Sequence, residues 1–101
     1  IFYVPEEHLI SVKKSLFDLG VGQLGDYVEC CWQTLGIGQF RPLDSSHPAI
    51  GEHQKLAEVK EYKVEMLCQD DLIKKAVQQL ILAHPYEEPA YAVFKIEDML
   101  L

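Results

Sequence analysis

Basic side chains are scarce in this chain: of 101 residues nine are Lys or Arg, against sixteen Asp or Glu, and Arg41 is the single arginine. A net charge of −7 argues against a nucleic-acid or anionic-membrane surface, because phosphate binding needs a clustered excess of cations and the nine basic residues are scattered from Lys13 to Lys95. Long apolar runs are also missing. None approaches the roughly 20 residues of a membrane span, and the first residues lack the charged-then-apolar order of a secretory signal. The three cysteines are poorly spaced for a site, with Cys30 and Cys31 adjacent, Cys68 distant and no C-x-x-C. On a strand, neighbours face opposite ways, so Cys30 and Cys31 would not grip one metal ion together. An odd cysteine count without a framework fits a reducing cytoplasm, where free cysteine behaves as a small buried hydrophobe. Nucleophile geometry is absent too. Ser11 and Ser15 fall on a helix and Ser45 and Ser46 in a loop, so no Ser-His-Asp or Cys-His arrangement can be read.

What is present is the composition of one globular domain, residues 1–101, with 49% apolar and 25% charged residues. Folding a chain of this size buries only about 65% of its unfolded surface. "IFYV" reads as a short buried strand. Pro5 suits a first helical position, Glu6 and Glu7 favour the positive end of the helix, and Leu9, Val12, Leu16 and Leu19 repeat at helical spacing up to a stop at Gly20. "YVECCWQT", residues 27–34, is rich in β-branched and aromatic residues and predicts a strand, with Val28, Cys30 and Trp32 on one face. The stretch 35–55 reads as a long excursion holding a short strand at 39–43. A second long strand is expected over 56–68. Asp70 or Asp71 caps a second helix whose apolar stripe is Leu72, Ile73, Ala76, Val77, Leu80 and Ile81. "AYAVFKI", residues 90–96, is the closing strand.

This order is β-α-β-β-α-β, an α+β ferredoxin-like sandwich. Its sheet carries helices on one face, and so short a chain leaves the other face bare. Self-association is the expected cover for that face and for the sheet edges.

Three motifs carry potential chemistry. Gly20-Val21-Gly22-Gln23-Leu24-Gly25 matches the dinucleotide fingerprint in letters, but it closes a helix and leads to a strand, the reverse of the required context. It reads as a cap and turn. In "LGIGQFRPL", Gly36 and Gly38 permit close approach of a ligand, and the planar fork of Arg41 could clamp a carboxylate or phosphate, although an intersubunit ion pair or a solvated loop position is the commoner role of such an arginine. His47 and His53 suit no recurrent metal-ligand spacing. The densest stretch is "ILAHPYEEPAYAVF", residues 81–94. There Pro85 ends the helix at His84, whose imidazole interacts well with the helix's negative pole when protonated, and Pro89 launches the last strand. The same stretch offers His84 with Glu87 or Glu88 as mixed N and O ligands, which three-fold symmetry could complete into a divalent-metal site.

"GVGQLGDYVECCWQTLGIGQFRPL", the later "PAIG", the "EYKVE" strand and "AHPYEEPAY" together resemble the PII/CutA-like domain inserted in bacterial YqfO-type members of the NIF-three-like proteins, over essentially the whole chain. The His-Pro-Tyr-Glu-x-Pro element also resembles one in CutA proteins. The resemblance implies a ferredoxin-like fold and CutA- or PII-like association, typically trimeric. It implies a partner- or ligand-binding loop at 35–55 by analogy with PII. The metal-binding core of the NIF-three-like proteins, sometimes named a GTP cyclohydrolase type, lies outside the inserted domain, so neither its dinuclear site nor a hydrolase activity is implied here.

The expectation is therefore a small cytoplasmic homo-oligomer, a trimer, that binds or regulates rather than catalyses and needs no cofactor. Its ligand, a small anion or a protein partner, would sit between subunits among Gly36, Gly38, Arg41, His84, Tyr86, Glu87 and Glu88. The alternative is a CutA-type divalent-metal protein using His84 and Glu88. A third class, catalysis on a small anion by Arg41 and His84, rests on the same residues.

Overall fold

The computed structural model describes residues 1–97. The chain forms β1 (Phe2–Pro5), α1 (Leu9–Asp18), β2 (Trp32–Phe40), β3 (Ala57–Glu65) and α2 (Ile73–Ala83), with single 3₁₀ turns at Glu6–His8 and Asp70–Leu72 leading into the two helices. The three strands make one antiparallel sheet in the order β1-β3-β2. Residues 90–92 lie along the free edge of β1. The Tyr3 N–H donates to the Ala90 carbonyl at 3.1 Å, the Ala92 N–H to the Ile1 carbonyl at 2.9 Å, and Phe2 bridges Tyr91. This small α+β arrangement is compatible with the ferredoxin-like order, although beyond Ala92 the expected closing strand at 90–96 makes no further strand pairing among the described residues.

Alternation along the strands decides where the core lies. Phe2, Val4 and Val64 point to the face covered by α1 and α2 and meet Leu9, Val12, Leu16, Ala76 and Leu80, all buried. The helical spacings in the sequence thus mark the stripes that pack, except at Leu19 and Ile81, which are exposed. Helix α1 ends in a Schellman motif: the Gly20 N–H donates to the Phe17 carbonyl at 2.9 Å and the Val21 N–H to the Leu16 carbonyl at 3.2 Å, with Gly20 at φ 99°. Val21 and Leu16 are both buried, the apolar contact that accompanies such a cap. Gly22, at φ 82°, docks the following loop: its N–H donates to the Leu67 carbonyl, its carbonyl accepts from Cys30, and a Cβ there would lie 2.6 Å from the Cys30 carbonyl oxygen. The glycine triplet is a structural junction.

The structure corrects several expectations. Residues 27–31 are not strand; Tyr27 pairs back to Leu24, and Glu29 takes a left-handed φ of 59°, so the shared face for Val28, Cys30 and Trp32 does not exist. The strand begins at Trp32 and runs through Gly36 and Gly38 to Phe40, because β3 offers partners that far: Gly36 faces Glu61 and Gly38 faces Val59. Cross-strand pairing outweighs the weak strand propensity of glycine. Its partner strand is correspondingly shorter than 56–68. Pro5 ends β1, opposite Glu61, instead of starting α1. Asp70 and Asp71 occupy the 3₁₀ turn before α2 without a side-chain capping bond.

Candidate functional site

The second face of the sheet carries Tyr3, Gly36, Gly38, Phe40, Glu61 and Lys63, by the same alternation. It was expected to be bare, but the chain covers part of it. After Phe40, residues 41–56 fold back over the end of the hairpin. Pro42 is buried, the Gln54 N–H donates to the Pro42 carbonyl at 2.6 Å, and the Gly51 backbone approaches Phe40 and Ala57. From the other side comes the 84–89 turn. The Glu87 carboxylate accepts from the His47 N–H at 2.7 Å and ties the two segments together across 40 residues of sequence.

Between them lies a cavity of about 320 Å³ whose floor is Tyr3, Gly38, Phe40 and Glu61, and whose walls come from the 42–50 loop and from Tyr86, Glu87 and Glu88. Its surface is mainly apolar. Phe40 and Tyr86 meet at a tilt, ring centroids 6.1 Å apart. Glu61 lies diagonally across Gly38, where a Cβ would collide with the Glu61 carboxylate. The absence of a side chain at Gly38 is what admits that carboxylate to the floor. Burial raises the Glu61 carboxyl above the usual carboxylate range, since desolvation penalises its charged form. The Tyr86 hydroxyl is buried without a hydrogen-bond partner among the described residues, and its pKa too is raised, by burial and then by the nearby Glu61.

His84 has a different job from the one its position on the helix implied. Pro85 does end α2, with His84 extended at ψ 139°. The imidazole is 5% exposed and turned under β1, where Nε2 lies 2.6 Å from the Tyr3 carbonyl oxygen. Nδ1 accepts the Tyr86 N–H at 3.1 Å, which leaves Nε2 as the protonated nitrogen donating to Tyr3. Burial lowers its pKa; the bond to Tyr3 opposes that and the nearby His8 reinforces it. The ring is therefore a neutral brace between β1 and the turn, rather than an imidazolium at a helix end. A metal ion at His84 would have to displace one of these two bonds. Among the described residues no group of three or more His, Cys, Asp or Glu is placed to hold one.

Of the sequence-predicted residues, Gly38, Tyr86, Glu87 and Glu88 meet at the cavity and His84 supports it from below. Gly36 faces open space and Arg41 is exposed outside the lining. Sequence reasoning missed Tyr3, Phe40 and Glu61. The first two looked like ordinary strand aromatics, and Glu61 belonged to an alternation that gave it no reason to be half-buried. The three free cysteines, each half-buried, lie elsewhere.

No protein-family model matches the chain. The chain is 43% identical over 96 residues to a GTP cyclohydrolase 1 type 2 homolog of Listeria monocytogenes, which covers 94% of this chain and 26% of that protein. It is 38% identical over 95 residues to the homolog of the same name from Bacillus subtilis, with 94% and 26% covered. Among solved structures, a Bacillus cereus protein related to NIF3 superposes with a TM-score of 0.81 at 32% identity, over 96% of this chain and 24% of that one. The chain thus spans about a quarter of the length of the curated relatives it matches, and over nearly all its own length it is similar to one segment of NIF3-related proteins.

Proposed function

We propose that this chain is a PII/CutA-like binding or regulatory module of the kind inserted in NIF3-related proteins, that it works as a cytoplasmic trimer, and that it holds a small ligand without catalysing a reaction. The carrying observation is the cavity: two sequence-distant segments, 42–50 and 84–89, are tied by the Glu87–His47 bond over a floor of Tyr3, Gly38, Phe40 and Glu61. A pocket of this kind, mostly apolar with a few convergent polar groups, is the usual form of a small-molecule site. Its lining pairs no nucleophile with a base, the arrangement that covalent catalysis uses. Trimer formation is supported by β2, a nine-residue edge strand with Trp32, Leu35 and Ile37 exposed, and by exposed Val93, Phe94 and Ile96 after the β1 edge. A long apolar edge of this kind ordinarily needs cover.

Light scattering on the 101-residue chain should give three times the monomer mass at micromolar concentration, and Ile37→Asp should dissociate it. A wild-type monomer would remove the trimer from this reading. The ligand half is checked separately by thermal shift across amines, nucleotides, inorganic anions and divalent metals, since any ligand selective for the folded chain raises its Tm.

A further inference from the structure

The lining of the cavity is one-sided in charge. Glu61 stands in the floor and Glu87 and Glu88 at the mouth, and neither lysine nor arginine lines it. Among the described residues none of the three carboxylates takes part in an ion pair; the pairs that form are Lys14–Asp18, Lys55–Glu52 and Lys95–Asp70. Three aromatic rings, Tyr3, Phe40 and Tyr86, share the same space. Resting on the binding-module reading, we infer that the cavity is a site for a small organic ammonium ion, with the aromatic faces around its apolar body and Glu61 as counter-charge.

Each part of the lining has a role in that fit. Aromatic faces attract cations through their quadrupoles, and more strongly where water is excluded. Glu61 is destabilised as an anion in the unliganded cavity, and a cation beside it favours the ionised form again. The carboxylates at the mouth repel anions and attract cations, so the phosphate or carboxylate ligand first suggested by Arg41 finds no counter-charge inside. The volume of about 320 Å³ stands at the lower end of small-molecule pockets and suits a compact ion.

Choline, its neutral isostere dimethylbutanol and Nα-acetyl-lysine methylamide separate shape, charge and source. Titration calorimetry on the intact chain should show choline or the lysine analogue binding at least about tenfold tighter than the alcohol, the size of a desolvated cation–aromatic contact. Whichever cation binds tighter identifies the source, a free quaternary amine or a lysine side chain. Glu61→Gln should weaken cation binding severalfold, while the intact aromatic rings keep part of the preference over the alcohol. Gly38→Ala, which displaces the Glu61 carboxylate without altering its charge, should weaken cation binding in the same direction. Equal affinity for cation and alcohol, or unchanged cation binding in Glu61→Gln, would overturn the ammonium assignment. If inorganic phosphate or a neutral compound binds at Tyr86 while all cations fail, only the ligand class is wrong. If nothing binds, the binding-module reading fails with it.

Discussion

The two faces of the sheet are made from the same strands and hold opposite kinds of side chain. On the helix-covered face Val4, Val12 and Val64 are fully buried, aliphatic and in contact with one another's neighbours. On the other face Tyr3, Phe40, Glu61 and Tyr86 surround a space, and one of them leaves a buried hydroxyl without a partner. A close-packed aliphatic face gains stability from every methyl group it buries. A face that keeps an unfilled, partly polar cavity forgoes some of that gain, which is the usual signature of a surface kept for binding. His84 joins the two, since its brace fixes both the β1 backbone and the Tyr86 end of the cavity.

The largest test of this contrast is Leu16→Ala. Leucine truncation in a packed core should cost about 3 kcal/mol in urea unfolding, while leaving ligand affinity at the open face unchanged in whatever fraction remains folded. Equal loss in both readouts would mean that the two faces are one cooperative unit. Next comes His84→Ala, which should cost roughly 2 kcal/mol because the Tyr3 carbonyl and the Tyr86 N–H both lose their buried partner. It should also loosen the cavity, unlike Leu16→Ala. The wild-type brace has a pH signature. The folded pKa of His84 lies below the ordinary 6.5, so the unfolded chain binds more protons between the two values. Its stabilising effect is complete above about 6.5 and falls as pH drops below that toward the folded value. Urea midpoints from pH 8 to 5 should therefore decline in wild type and decline less in His84→Gln. The smallest effect belongs to Arg41→Lys. With Arg41 exposed outside the cavity, neither stability nor cavity binding should change beyond about 0.5 kcal/mol. A sharp loss of ligand affinity would return the guanidinium to the site and break the ammonium reading.

Local signals account for much of this fold. The helical stripes at Leu9, Val12 and Leu16 and at Ala76 and Leu80 are the buried ones, Gly20 ends α1 in the left-handed conformation, and Pro85 ends α2 before His84. These are effects of neighbours within a turn or two, so a sequence displays them. The start of β2 was misread because Tyr27 to Cys31 have strand-like side chains but no strand partner; the Cys30 N–H donates instead to the Gly22 carbonyl, and the Gly22 N–H in turn to the Leu67 carbonyl. Pairing with β3 likewise carried the strand through two glycines.

For the cavity, the sequence determined the chemistry of one wall: "HPYEEP" had to be a turn presenting an aromatic and two carboxylates. Tertiary structure decided the rest. Tyr3, Phe40, Glu61 and Tyr86 are spread over more than eighty positions; register sets Glu61 diagonally across Gly38, and Arg41 falls after the last β2 pair, outside the lining. Whether His84 is a charged helix end or a neutral brace depended on the Tyr3 carbonyl, 81 residues away in sequence. Local sequence fixes caps and stripes because their partners are a few residues off. A site assembled by strand pairing and a long loop has its partners in the fold.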